Sequence, residues 1–252
     1  MDHPLGKATI VELAAFGQGR VALQPGDLLF AAARVPDESP FGRCATILSD
    51  QEQARAARFR RTHDRDAFVA AHVLTRVVLA RLSNRKPADL HFDVHPGGKP
   101  RIAGLGLGFN LSHTRGAVAL AVGCGEVGVD IEAGGDLDPN ALAAHALTPH
   151  EIEALRTAAC PRAFFLSRWV SKEAVAKAWG LGLEIPFKRL QGRPTAGGNW
   201  IAFEHEGKVG HAACWGTAEL QMAIARTGEA PSRLFRLTVD LAEYPFPDGM
   251  SA

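Results

Sequence analysis

Ala117-Val-Ala-Leu-Ala-Val-Gly123, Cys124-Gly-Glu126 and Val127-Gly-Val-Asp-Ile-Glu132 form two apolar runs joined by a short turn signal. Both runs read as strands, and the turn between them predicts a hairpin. In the second run, side-chain alternation puts Val127, Val129 and Ile131 on one face. Gly128, Asp130 and Glu132 share the other. Two carboxylates two residues apart on one strand face repel unless a cation lies between them or one stays protonated. A hard divalent ion with oxygen ligands, magnesium in particular, suits such a pair; two solvated acids at a strand end are the alternative.

Upstream, Phe109-Asn-Leu-Ser-His113 leads into a polar turn at Thr114-Arg-Gly116. Before it come a strand candidate at His91–Val94, a turn-rich stretch His95-Pro-Gly-Gly-Lys-Pro100, and Gly104, Gly106 and Gly108. These glycines lack the GxGxxG spacing of a dinucleotide-binding loop. Residues 50–82 read as one helix, with Phe68, Ala71, Leu74, Val78 and Leu82 three or four apart on an apolar stripe. Its front end is basic: Arg55, Arg58, Arg60, Arg61 and Arg65.

Downstream, Gly134, Gly135 and Pro139 break the chain and suggest a boundary between two parts, 1–133 and 134–252. Thr148-Pro-His-Glu151 is a helix start with a threonine cap, a proline in the first turn and a glutamate three residues on. A long helix follows over about 162–179 and ends at Gly180 and Gly182. Strand-like pieces come after it at Trp200–Phe203, Leu220–Ala225 and Leu234–Val239. AVALAVG in the first part is echoed by LQMAIAR in the second. The expected fold class is therefore α/β (α+β), two similar halves packed together.

Composition narrows the function classes. The chain of 252 residues is 46% hydrophobic and 22% charged, with a formal net charge of +1. That balance gives no global attraction to nucleic acid or to an anionic membrane, so any anion site is built locally. No apolar run is long enough to span a bilayer, and the N-terminal residues lack a signal-peptide pattern. Cys44, Cys124, Cys160 and Cys214 are far apart and make no CxxC or Cys/His cluster. A soluble cytoplasmic protein with reduced thiols is expected.

In Ser167-Arg-Trp-Val-Ser-Lys-Glu-Ala-Val-Ala-Lys177, Glu173 and Lys177 are four apart on one helix face. Spacing alone leaves two readings: a surface ion pair, or a third metal ligand with a phosphate-binding lysine.

Taken in order, Gly98-Lys-Pro100, Phe109–His113, Val127–Glu132 and Trp169–Lys177 with Gly180-Leu-Gly-Leu183 resemble the Sfp-type 4′-phosphopantetheinyl transferases. The resemblance covers residues 99–183, with weaker matching over 58–81. It implies transfer of the 4′-phosphopantetheine arm of coenzyme A to a serine of an apo acyl or peptidyl carrier protein, releasing adenosine 3′,5′-bisphosphate. It implies magnesium held by Asp130, Glu132 and Glu173. Ser112 and His113 then contact the 3′-phosphate of coenzyme A, Lys99 is a second basic contact, and Lys177 is near the diphosphate.

Many members carry a cofactor-binding arginine where Ala67 stands here. Arg60, Arg61, Arg65 and His72 are neighbours able to substitute, and Arg60 and Arg61 are taken as cofactor-binding. Asp130, Glu173 and Lys177 form the catalytic set, with Glu173 or a water on the ion accepting the serine proton. The length implies a pseudo-dimeric monomer serving, for example, secondary-metabolite synthesis. The alternative is a non-catalytic relative that binds coenzyme A or a carrier protein.

Overall fold

The computed structural model describes residues 9–13, 22–37, 39, 41–94, 100–102, 104–135, 137–196 and 200–242. The chain opens with β1 (Thr9–Leu13) and β2 (Asp27–Arg34), then the short helices α1 (Phe41–Cys44) and α2 (Asp50–Ala56) and the long α3 (Thr62–Ser83). A 3₁₀ turn (Pro87–Asp89), β3 (Asp93–Val94), β4 (Pro100–Arg101), β5 (Gly108–Thr114) and β6 (Ala117–Gly123) follow. Next come β7 (Val127–Ala133), α4 (Pro139–Ala146), α5 (Pro149–Arg156) and the long α6 (Pro161–Trp179). After a 3₁₀ turn at Phe187–Arg189 the chain ends in β8 (Arg193–Pro194), β9 (Ile201–His205), β10 (Lys208–Gly216), β11 (Leu220–Thr227) and β12 (Arg233–Val239).

Two five-stranded sheets form, ordered β1-β12-β2-β6-β5 and β7-β11-β10-β9-β8. Their inner faces meet through Leu28 and Phe30 of β2, Val127, Val129 and Ile131 of β7, and Ile224 of β11. The outer face of the first sheet carries α3, with Leu29, Ala31 and Ala33 packed beneath it. The outer face of the second carries α6, with Ala212, Ala223 and Ala225 beneath it. The layers therefore run helix, sheet, sheet, helix, in a mixed α+β architecture. The expected face division of β7 holds: its valines and isoleucine enter the inter-sheet core.

Two expectations change. The hairpin between 117–123 and 127–132 does not form: β6 pairs with β2 on one edge and β5 on the other, so it has no edge left for β7. Instead the chain turns at Gly125, whose φ of +97° favours glycine, and β7 pairs with β11 in the second sheet. The chain thus passes from the first sheet to the second at 124–126, and β12 returns from the far end of the chain to pair with β2. The single helix over 50–82 is two helices, α2 and α3. The break lets Phe59 turn inward against Phe68, ring centroids 5.3 Å apart, while Arg58, Arg60 and Arg61 stay exposed.

The sequence reading also passed over β2 and β10. The helix ends behave as expected: Thr148 and Glu151 make a reciprocal capping box, and α6 stops at Gly180 in the left-handed region.

The two units share one internal clamp. In α3, buried Arg76 binds Glu52, the capping-box glutamate of α2, at 2.8 Å, together with the carbonyls of Pro87 and Leu90 at 2.8 and 3.0 Å. In α6, buried Lys172 binds Glu151, the capping-box glutamate of α5, at 2.5 Å, with the carbonyls of Ala146 and Phe187 at 2.8 and 3.0 Å. Each long helix ends eight residues after its clamp at a left-handed residue, Asn84 or Gly180.

Candidate active site

Gly128 decides how close α6 can come to β7. A Cβ at this position would sit 1.9 Å from the Ala174 carbonyl oxygen and 2.6 Å from the Ala178 nitrogen. Only glycine permits that approach. It sets Glu173 and Lys177, the residues before Ala174 and Ala178, over the acidic face of β7.

The other wall comes from β5, the edge strand of the first sheet. Alternate residues of β5 reach across to β7. The Val129 N–H donates to Asn110 Oδ1 at 2.9 Å, and the Ala133 N–H donates to Thr114 Oγ1 at 3.2 Å. Between them Ser112 Oγ donates to Asp130 Oδ1 at 2.9 Å. These polar side chains satisfy the edge of β7 that no strand among the described residues covers.

Asp130 is the centre of the cluster, with only 3% of its surface exposed. Lys177 Nζ donates to its Oδ1 at 2.7 Å and to Ser112 Oγ at 3.1 Å. Its Oδ2 is buried with no hydrogen-bond partner. Burial and the neighbouring Asp130 raise the pKa of Glu132, against the pull of Lys177 and of bonds from Thr114 and the Trp169 side chain. Glu173 is pushed up to about 7, first by burial and then by Asp130 and Glu132.

The three predicted acids are therefore in one electrostatic cluster: Asp130 raises the cost of ionising Glu132 and Glu173, and Glu132 adds to that of Glu173. As they stand, no three His, Cys, Asp or Glu side chains among the described residues converge tightly enough to hold a metal ion. The donor chemistry nevertheless fits a hard divalent cation: oxygen ligands only, mutual repulsion, and one buried carboxylate oxygen without a partner.

The residues expected at phosphates lie on two faces of β5. Ser112 is buried and donates its hydroxyl to Asp130. His113 is exposed, on the opposite face of β5. Burial, Lys177 and Arg55 lower its pKa while Asp64 raises it. His72 of α3 acts on the same region: its ring meets Phe68 edge-on at 4.0 Å, and burial takes its pKa down to about 4. Arg60 and Arg61 are exposed on the turn before α3, and Arg65 pairs with Asp66. Ala67 is buried. Lys99 lies outside the described residues.

Sequence reasoning missed Asn110 and Thr114 as the braces of β7, and Trp169 as a partner of Glu132. Trp169 opens the Trp169–Lys177 motif. It also lines a hollow of about 290 Å³ beside Glu132, with Leu137, Leu142, His145, Phe165 and Leu166. A larger hollow of about 500 Å³ lies on β9 and β10 and is lined by none of the three acids.

Comparison with known proteins identifies the family. A family model described as the 4′-phosphopantetheinyl transferase superfamily matches residues 126–225, and one described as 4′-phosphopantetheinyl transferase, N-terminal, matches residues 34–124. The two matches meet where the chain passes from the first sheet to the second. The 4′-phosphopantetheinyl transferase HetI of Nostoc is 34% identical over 60% of this chain and 68% of its own length. A 4′-phosphopantetheinyl transferase of Bacillus subtilis is 27% identical over 82% of this chain and 88% of its own.

Among solved structures, a holo-[acyl-carrier-protein] synthase from Thermotoga maritima is 20% identical, covering 41% of this chain and 63% of that one, with a TM-score of 0.36. The chain belongs to the 4′-phosphopantetheinyl transferase family. It is a transferase that moves the 4′-phosphopantetheine group of coenzyme A to a carrier protein.

Proposed function

We propose that the reaction takes place at Asp130, with Mg²⁺ held by Asp130, Glu132 and Glu173, and that the acceptor is the serine of an apo acyl or peptidyl carrier protein. The observation that carries this reading is the buried, unpartnered Oδ2 of Asp130, set among two further carboxylates that repel it and each other. When bound, the ion would neutralise charge on the diphosphate of coenzyme A.

The residues of this chain supply the rest. Lys177, already within reach of Asp130 and Ser112, donates to a phosphate oxygen as negative charge builds there. Ser112 holds Asp130 in one rotamer through its hydroxyl. Glu173 accepts the proton of the attacking serine hydroxyl at a carboxylate oxygen. The new bond joins the serine Oγ to phosphorus; the bond that breaks frees adenosine 3′,5′-bisphosphate with the electron pair on its phosphate oxygen. His113, with Arg55 and His72 beside it, faces the 3′-phosphate, and Lys99, Arg60 and Arg61 add to the cofactor's cationic surroundings.

We further take the protein to act in the cytoplasm as a monomer of two units joined near Gly125. Among the described residues no disulfide forms and no helix is long and apolar enough to cross a membrane. Secondary-metabolite carriers are the first substrates to try.

Incubation of apo carrier proteins with coenzyme A and Mg²⁺ tests the reading by intact mass. One added phosphopantetheine per carrier is the expected result, abolished by chelation and by Asp130→Ala in a folded variant. A panel of apo carriers left unmodified would overturn it and leave a protein that only binds coenzyme A or a carrier.

A further inference from the structure

Lys172 directly precedes Glu173, yet its side chain takes no part in the acidic cluster. It is fully buried, and its three N–H donors meet three acceptors: the Ala146 carbonyl, the Phe187 carbonyl and Glu151 Oε2. Those acceptors belong to three separate segments: the end of α4, the first turn of α5, and the 3₁₀ turn after α6. Each segment is thereby tied to one atom of α6.

We infer that Lys172 is a positioning residue for the transfer reaction, fixing the rotation and axial register of α6 so that Glu173 and Lys177 face Asp130. This rests on the assignment of those residues to the reacting site.

The geometry is that of a helix pinned from two directions. On one flank, Ala174 and Ala178 rest on the bare backbone of Gly128. On the other, Lys172 draws in α4, α5 and the 187–189 turn. Glu173 lies between Lys172 and Ala174, so any roll of α6 moves it directly. The same pin fixes the end of α4, the helix that brings Leu142 and His145 to the hollow beside Glu132.

Comparison with the first unit separates holding a helix from placing an acid. Arg76 makes an equivalent clamp in α3, but the residue after it is Val77, buried in an apolar core. The clamp is a device of the fold in both units, and only in the second does it carry a reacting carboxylate with it.

The test compares wild type, Lys172→Met and, as a control, Ile224→Ala, which thins the core between the sheets on the face of β11 opposite the one that packs on α6. Measured quantities are the melting temperature, kcat, KM for coenzyme A, and affinity for Mn²⁺ alone by electron paramagnetic resonance. Folded Lys172→Met is expected to lose kcat about 30-fold with KM for coenzyme A within about twofold, since small misplacements of reacting groups cost on that order. Its Mn²⁺ affinity should fall about tenfold for the same geometric reason. Ile224→Ala should melt lower yet keep wild-type kcat and Mn²⁺ affinity.

Should Lys172→Met not fold, the double variant Lys172→Met/Glu151→Gln removes the stranded charge and is assayed in its place. Wild-type kcat and Mn²⁺ affinity in the folded Lys172 variant would overturn the inference. So would an equal loss in Ile224→Ala. A wild-type protein that transfers nothing to any carrier refutes the proposed function instead, and the Mn²⁺ affinities still decide the role of Lys172.

Discussion

The unit beginning at β2 and the unit beginning at β7 are built alike and used differently. In each, a first strand pairs antiparallel with a last one: Leu28 with Gly123, and Val127 with Arg226. Superposing those pairs through the AVALAVG and LQMAIAR echo sets Leu29 against Gly128, Ala31 against Asp130 and Ala33 against Glu132. Aligning the clamps Arg76 and Lys172 sets Val77 against Glu173 and Arg81 against Lys177.

In the first unit the face under the long helix is apolar and packed: Leu29, Ala31, Ala33 and Val77 all belong to one core. In the second, the corresponding places hold a glycine and three acids. The free edge of β7 is braced by side chains of β5, whereas the equivalent edge of β2 is closed by β12. A repeated frame thus has one half filled with apolar side chains and one half lined by acids, because an edge already paired by a strand has no room for a neighbouring polar brace.

The largest expected effect is on the side that carries the acids. Asp130→Asn should lower kcat by about 10³-fold, in line with losing a group that stabilises developing charge, while circular dichroism and melting stay near wild type. A variant with more than a tenth of wild-type turnover would remove Asp130 from the reacting set.

Gly128→Ala and Leu29→Ala test the two equivalent positions under the long helices. The added Cβ at 128 meets backbone and has nowhere to go, so about 3 kcal/mol or more of stability and most of the transfer should be lost together. Leu29→Ala should cost a similar stability, about 3 kcal/mol by urea titration, from the cavity it leaves, with kcat intact. If Leu29→Ala also stopped transfer, the units would not divide their labour as described.

Arg76→Met leaves Glu52 largely buried and without its cation. It should cost about 3 kcal/mol, again read by urea titration, with kcat within about twofold of wild type.

The pH dependence gives a smaller contrast. Glu173 and Glu132 have raised pKa values in the folded chain, so between the ordinary carboxylate range and about 7 the folded state binds more protons than the unfolded one. Stability contributed by these groups is present at low pH and is lost as pH rises through that window. Without divalent ions, the melting temperature should fall from pH 5 to pH 7.5 more steeply in wild type than in Glu173→Gln. Parallel curves would mean that the acids do not share one field.

Ser112→Ala should have the mildest effect. Loss of one hydroxyl donor to Asp130 costs on the order of 1 kcal/mol and lowers kcat a few-fold, measured by initial rates of carrier modification.

Alternation along Val127–Glu132 was enough to divide the strand into an apolar and an acidic face, because that period is a property of extended backbone. The Thr148–Glu151 cap, the length of α6 and its glycine stop were also legible, since capping and termination depend on residues within one turn. The partner of β7 was not legible. A tight local turn favours a hairpin unless the edges of the preceding strand are already taken, and β2, which takes one of them, lies about ninety residues earlier. The break between α2 and α3 escaped for a similar reason: Phe59 leaves the helical path to reach a core assembled from distant segments.

For the site, the sequence by itself determined which polar side chains share a face: two acids at alternate strand positions, and a glutamate and a lysine one helical turn apart. Only the tertiary structure decided where they meet. Gly128 sets the distance from α6 to β7, the side chains of β5 hold the exposed edge, and Ser112 donates its hydroxyl to Asp130. Local periodicities fix which way a side chain faces within its own element. What it faces depends on the packing of elements far apart in the chain, and on where that packing leaves a strand edge open.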